Sequence, residues 1–443
     1  MKMKKKISLL LMVCVTVAGL LAGCGSHGTG NQKNTEDAAS AQGGKGRFVE
    51  SEVTLPDNLQ VINAVGKSKE GELTLIGYDN DKGKLFLAHS KDQGKTWSQK
   101  ELEKTDGYVA AVNGEDGSAA MFGYNKKSGM KRVSADGKVT KVNLQLPEYQ
   151  ATGKESDDTE NFVTSAVYAD NKLFVTDLNW VVYEVNLQTG EMNKAFSDIS
   201  ENVNRLIPAG TKFALMTDKG IQFADAKSGA LAERMQSDDV LQQAMSKVSE
   251  SHNTDSNNIA MTMGDSGDEL YYIDNDGLFY HKIGGSTTEQ LINGELTSLG
   301  DRNVTFQALY KFDDKNYMVF VNDSQGARHC YRYTYDADVS AVPQNQITVY
   351  ALEDSNALQQ LITAYQKDHP DVMVKKTIGM SGEDGVTAED AIRTLNTEVL
   401  AGKGPDVLVL DGLPADSYVQ KGVLADLGSY VKAANEKEGL FTN

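Results

Sequence analysis

Ile347-Thr-Val-Tyr-Ala-Leu352, Val372-Met-Val-Lys-Lys-Thr-Ile378 and Asp406-Val-Leu-Val-Leu-Asp411 are three short apolar or β-branched runs separated by stretches of helical period. After the first run, Leu358, Leu361, Ile362 and Tyr365 fall at i, i+3, i+4 and i+7, the stripe of a helix lying on a sheet, and Pro370 ends it. Thr387-Ala-Glu-Asp390 has capping-box form and opens a second helix whose inner face carries Ile392, Leu395 and Val399; Gly402 and Gly404-Pro405 close it. The third run is almost continuously apolar, which predicts a strand buried between helices on both faces of a parallel sheet. Ligands of such sheets bind beyond the carboxyl ends of the strands. Glu353, Asp354 and Ser355 after the first strand, and Asp411, Gly412 and Leu413 after the third, are therefore the candidate ligand-binding residues on one rim.

Leu400-Ala-Gly-Lys-Gly-Pro-Asp-Val-Leu408, running into Asp411-Gly-Leu-Pro-Ala-Asp-Ser-Tyr418 and Gly422-Val-Leu-Ala-Asp-Leu427, resembles the bacterial extracellular solute-binding protein family 1, the carbohydrate-type receptors of ABC importers. The run from Ile347 and the helix ending Tyr365-Gln-Lys-Asp-His-Pro370 share that resemblance. It implies a receptor with a sugar or oligosaccharide ligand and importer permease subunits as partners. It also implies no cofactor, no metal, no catalytic residue and no reaction. Family members close two lobes on the ligand. With Asn443 as the last residue, the chain is expected to supply the N-terminal part of one lobe, one wall of a pocket, and to bind sugar only weakly on its own.

At the other end, Met1-Lys-Met-Lys-Lys-Lys6 is a basic segment before an apolar Ile7–Leu21 run too short to span a bilayer, which predicts a signal peptide over 1–23. Leu21-Ala-Gly-Cys24 has lipobox form, with Cys24 as the lipidated residue. Residues 24–46 then read as the lipidated cysteine and a flexible Gly/Ser/Asn/Gln tether, placing the protein on the extracytoplasmic face of the cell membrane. Cys14 leaves with the signal, so Cys330 has no partner in the mature chain and is expected to be a buried, inert thiol.

Residues 47–343 repeat short apolar alternations every roughly forty to fifty residues, in windows beginning near Val61, Val109, Val163, Leu206, Ile259 and Phe306. Hairpins with glycine at the tip recur, as at Gly137, Gly190 and Gly277. This predicts an all-β propeller of six or seven blades, with a β-sandwich pair as the alternative, followed by the start of an α/β periplasmic-binding-protein-like lobe over 344–443. Ser90-Lys-Asp-Gln-Gly-Lys-Thr-Trp97 fits S-x-D-x-G-x-T-W and resembles the Asp-box of sialidase-like propellers. The resemblance implies structural roles for Ser90, Asp92, Gly94, Thr96 and Trp97. Val240, Leu241, Ala244, Met245 and Val248 are helically spaced and predict a surface helix between blades.

A surface sialidase-like glycosidase, or a propeller scaffold for another envelope protein, are the competing functions. A sialidase needs an arginine cluster, and Arg205-Leu-Ile-Pro208 reads instead as a strand end closed by proline. Gly94-Lys-Thr96 lacks the glycine and helix of a P-loop, the histidines lack zinc spacing, and the Asp79 and Asp274 turns lack the distal glutamate of a calcium loop. Trp180, Tyr78, Tyr124, Tyr183, Tyr271 and Tyr272 read as core residues in preference to a sugar-stacking surface. A net charge of −18 disfavours nucleic acid.

Overall fold

The computed structural model describes residues 45–443 apart from 104–107, 124–128, 151–159, 197–198, 200, 251–257, 381–385 and 439–443; Cys24, its signal and tether, and Tyr124 therefore lie outside the described residues. Six four-stranded antiparallel sheets form a propeller: blades 1 (61–102), 2 (108–142), 3 (163–194), 4 (203–231), 5 (260–293) and 6 (305–340). Blade 6 supplies only three of its own strands. Its fourth is Lys45–Glu52, which pairs antiparallel with Arg328–Ser340, so the start of the domain is stitched to its end.

Each blade's second strand reads as a continuous apolar run because both sheet faces are covered, and its residues alternate between the two neighbours. Leu73 and Leu75 enter the cluster between blades 6 and 1, while Ile76 enters the cluster between blades 1 and 2. Six such clusters fill the six interfaces around the ring. Cys330 is buried in the first of these, and burial pushes its thiol well up.

The hairpin at Ser90–Trp97 is held by its own side chains. Asp92 Oδ1 accepts from the Thr96 amide (2.8 Å) and the Ser90 hydroxyl (2.8 Å), Asp92 Oδ2 accepts from the Thr96 hydroxyl (2.6 Å), and Ser90 Oγ accepts from the Gly94 amide (2.7 Å). The Thr96 hydroxyl and amide bonds, with that of Ser90, hold the Asp92 carboxyl down at about 2. The clasp is accordingly complete above the ordinary carboxylate range and is lost as pH falls through about 2. Gly94 has φ +87°, and a Cβ there would come within 2.5 Å of Val53 Cγ1. Trp97 is half-buried against Val53 and Leu55, with its indole N–H donating to the Thr54 carbonyl (3.0 Å). Trp97→Ala is expected to cost about 2 kcal/mol by chemical denaturation, below the 3–5 kcal/mol of a fully buried ring.

Between blades 4 and 5 lies the predicted helix, Asp239–Glu250, whose Leu241 and Met245 are buried against Met235 and Ile283. Buried Asp238 accepts from the Leu241 amide (3.0 Å), the Gly284 amide (2.6 Å) and Nε2 of fully buried His281 (2.8 Å), pinning the insertion to blade 5. Three expectations are corrected. Trp180 is 46% exposed, at φ +56° in the tight turn between the second and third strands of blade 3, so it is not a core residue, whereas Tyr183, Tyr271 and Tyr272 are buried. Arg205-Leu-Ile-Pro208 does lie at the end of a strand, but the strand continues one residue past the proline. The inner strand runs Val203–Ala209, because an edge facing the propeller axis asks no N–H of Pro208. The third correction concerns the C-terminal sheet.

That sheet has three parallel strands in the order Val372–Ile378, Asn345–Ala351, Val407–Leu408. Helix Asn356–Asp368 packs Leu358 and Ile362 on one face with Val349 and Val374, and helix Ala388–Leu400 packs Ala391 and Leu395 on the other with Tyr350 and Leu352. The third strand is only two residues long and is an edge: Val407 is 46% exposed, in place of the buried strand its apolarity predicts, since no strand lies beyond it among the described residues. Leu361 and Tyr365 face outward, and the inner row of the first helix is Leu358, Ile362 and Gln366. Gln366 is buried because its amide is a staple. Its Oε1 accepts from the Val374 amide (2.6 Å) and its Nε2 donates to the Glu295 carbonyl in the linker between blades 5 and 6. Lys367 reaches Glu52 (2.9 Å), which also meets His329 (3.1 Å), and Arg47 donates to the Pro370 carbonyl. Burial alone would raise Glu52, but Lys367 and His329 outweigh it and hold the carboxyl below its ordinary value. The strand that closes the ring thus also seats the sheet.

Candidate functional site

The chain leaves the central strand Asn345–Ala351 on one side for Val372–Ile378 and returns on the other side as Val407–Leu408, with the two crossover helices on opposite faces. The loops after the central and third strands therefore flank a topological switch point, where a parallel sheet leaves a crevice. Backbone bonds hold the central strand's end on both sides: Val409 N–H, just after the third strand, donates to the Tyr350 carbonyl (2.9 Å), and Met380 N–H, just after Val372–Ile378, donates to the Leu352 carbonyl (2.9 Å). Gly412 has φ +72°, and a Cβ there would lie 2.8 Å from Leu352 Cδ2, so glycine lets one loop rest on the other.

The six rim residues divide by what they touch. Ser355 caps the first helix, its hydroxyl accepting from the Leu358 amide (3.2 Å). Asp354 holds Lys376 at 2.7 and 2.9 Å, fixing the first loop to the neighbouring strand. Leu413 is buried with Tyr350, Leu352 and Tyr418 as the floor of the rim, and Gly412 makes the turn. Glu353 and Asp411 are the exposed carboxylates, one per loop, available to accept hydrogen bonds from hydroxyls of a solute.

Three contributors escape a reading of the sequence. Asp406, in the Gly-Pro-Asp motif, clips the edge strand to the centre: Oδ2 accepts from the Thr348 amide (2.8 Å) and hydroxyl (2.7 Å), and these bonds hold its carboxyl below the usual range. Beneath the rim, Tyr350 and Tyr418 are buried with hydroxyls lacking hydrogen-bond partners among the described residues, and burial raises both. Buried hydroxyls without a protein partner are the groups that ordered water commonly satisfies. The signal was present as Tyr at both positions, but nothing local marks a hydroxyl as unpaired.

No curated protein matches the chain. Similar solved structures include YCF48 bound to D1 peptide (14% identity, 63% of this chain and 79% of that one, TM-score 0.35). They also include YCF48 from Cyanidioschyzon merolae (10% identity, 64% and 98%, TM-score 0.36) and a catalytically inactive virginiamycin B lyase from Staphylococcus aureus with quinupristin (10% identity, 65% and 99%, TM-score 0.38). Residues 351–442, the segment that carries both rim loops, match the family described as bacterial extracellular solute-binding protein, which points to a solute-binding role outside the cytoplasm with a small-molecule ligand and transporter partners.

Proposed function

We propose that this chain is a lipid-anchored extracytoplasmic solute receptor of an ABC importer, that its solute is a sugar or oligosaccharide, and that it binds without turnover. The observation that carries the reading is the coincidence of the family match, residues 351–442, with the sheet rim bearing Glu353 and Asp411. Two exposed acceptors, one on each loop, suit a solute rich in hydroxyls. The permease subunits would meet this segment, and the propeller is an accessory domain.

Saturation-transfer NMR on the full chain with a panel of neutral oligosaccharides tests it. Contact signals for at least one sugar that vanish in Asp411→Ala support the reading. Silence across the panel, or signals unchanged in Asp411→Ala and Glu353→Ala, overturn it.

Anchoring has its own test. Each buried acyl methylene is worth about 0.8 kcal/mol, so a multiply acylated Cys24 holds the protein to the membrane while a free chain leaves. Cys24→Ser is expected to move the protein to the aqueous phase in detergent partitioning, with Cys330→Ser retained in the detergent phase. Equal retention of the wild type and Cys24→Ser would refute the anchor.

A further inference from the structure

The six inner strands of the propeller enclose an axial cavity of about 460 Å³, open on the face where those strands turn into the second strands of their blades. That volume lies within the range of small-molecule sites. Each inner strand pairs on one side only, so its outward-facing backbone N–H and C=O groups line the bore unpaired by any other strand. A wall of this kind suits a ligand rich in hydroxyls. Asn113 also lines the cavity: its Nδ2 donates to the Thr74 carbonyl (3.0 Å), while its Oδ1 is buried with no partner among the described residues. Gly66 makes room for it, since a Cβ there would lie 2.4 Å from Asn113 Cβ.

Charge is the second feature. In a chain of net charge −18, three lysines line this one cavity: Lys67, Lys69 and Lys311. Lys69 is matched by Glu115 (3.5 Å) at the exposed mouth and Lys311 by Asp314 (2.8 Å). Lys67 is not matched. Its ammonium lies 5.5 Å from the Phe312 ring centroid, and no carboxylate of the described residues reaches salt-bridge distance. Desolvation lowers it, with Lys311 adding to that effect and Asp265 and Glu115 opposing it from a distance. A partly buried cation short of a counter-ion is stabilised by whatever anion enters beside it.

We propose that the axial cavity of the propeller is a second binding site, distinct from the rim of the C-terminal sheet, for a monosaccharide-sized sugar acid whose carboxylate pairs with Lys67 and whose hydroxyls meet Asn113 and the inner-strand edges. Lys311 lends further positive potential, and Asp265 is placed to accept from a hydroxyl. Binding here does not depend on the sheet rim.

Calorimetry on the full chain, with D-glucuronate and D-galacturonate against D-glucose and D-galactose, tests it. At least one acid is expected to bind saturably, and about ten-fold or more tighter than its neutral counterpart, with affinity falling as salt rises. Lys67→Met, confirmed folded by its thermal transition, should weaken the acid by about ten- to a hundred-fold, while Lys67→Arg retains it. Absence of saturable binding by either acid, equal binding of acid and neutral sugar, or full binding by a folded Lys67→Met variant would overturn the proposal. Asp411→Ala separates the two sites. Loss of acid binding in that variant would move the acid to the sheet rim and end the proposal for the cavity, leaving the rim reading intact.

Discussion

Asp238→Ala is expected to destabilise the propeller by about 3–5 kcal/mol, the cost of leaving several buried donors without their shared acceptor. Three donors converge on this carboxylate: the Leu241 amide, the Gly284 amide and Nε2 of His281. The other ring nitrogen of His281 faces the Thr287 carbonyl at 3.0 Å, which fixes the plane of the ring. Asp238→Asn keeps an acceptor and should lose less. Burial alone would raise the carboxyl, but His281, Gly284 and Leu241 outweigh it and hold Asp238 below its ordinary value. The sign follows: its contribution is present above the unfolded value near ~3.9 and is lost as pH falls through the folded one. Urea denaturation of wild type and Asp238→Ala should therefore show a gap that is constant around neutrality and narrows in acid. A gap under 1 kcal/mol at neutral pH, on the order of a surface pair, would show that the insertion is not pinned here.

Deleting Lys45–Glu52 should have a still larger effect, abolishing the single cooperative unfolding transition. The strand supplies the outer ladder of blade 6, and Phe48 packs edge-on against Tyr317 (5.5 Å) and Tyr335 (5.4 Å). Glu50 accepts from the Ser298 amide (2.7 Å) and the Tyr333 hydroxyl (2.7 Å) and would leave both without it. Removing the strand also cuts Glu52 from Lys367 and Arg47 from Pro370, so the C-terminal sheet loses its seat at the same time. Because closure joins residues nearly 300 apart in sequence, its loop entropy is lost only once and is recovered by the whole ring. Calorimetric melting of the deletion should show a broadened, lowered or missing transition. A melt superimposable on the full chain would mean that the ring holds without its clasp.

Much of the architecture was legible because it is local. The alternations from Val61 to Tyr335 report their own strands, and glycines at Gly137, Gly190 and Gly277 report turns that need positive φ. In the C-terminal sheet, Thr387 and Ser355 announce their helices by short-range capping bonds. The candidate rim was half legible. Strand ends place Glu353 and Asp411, yet the roles of Ser355, Asp354 and Leu413 as cap, ion pair and floor depend on partners three to dozens of residues away.

By itself, the sequence determined the repeat, the order of strands and helices, and the strand ends after which Glu353 and Asp411 lie, since period and turn chemistry act over a few residues. The number of blades was open between six and seven because ring closure is a property of how sheets stack and not of any one blade. Only the tertiary structure decided that Lys45–Glu52 completes blade 6, that Gln366 turns inward while Leu361 and Tyr365 face water, and that Lys67, Asn113 and Lys311 meet around one axial cavity. These are long-range facts. A backbone group or a charge finds its partner through space, and nothing within one helical turn or one hairpin of Lys67 records that the neighbouring blades leave it without a counter-ion.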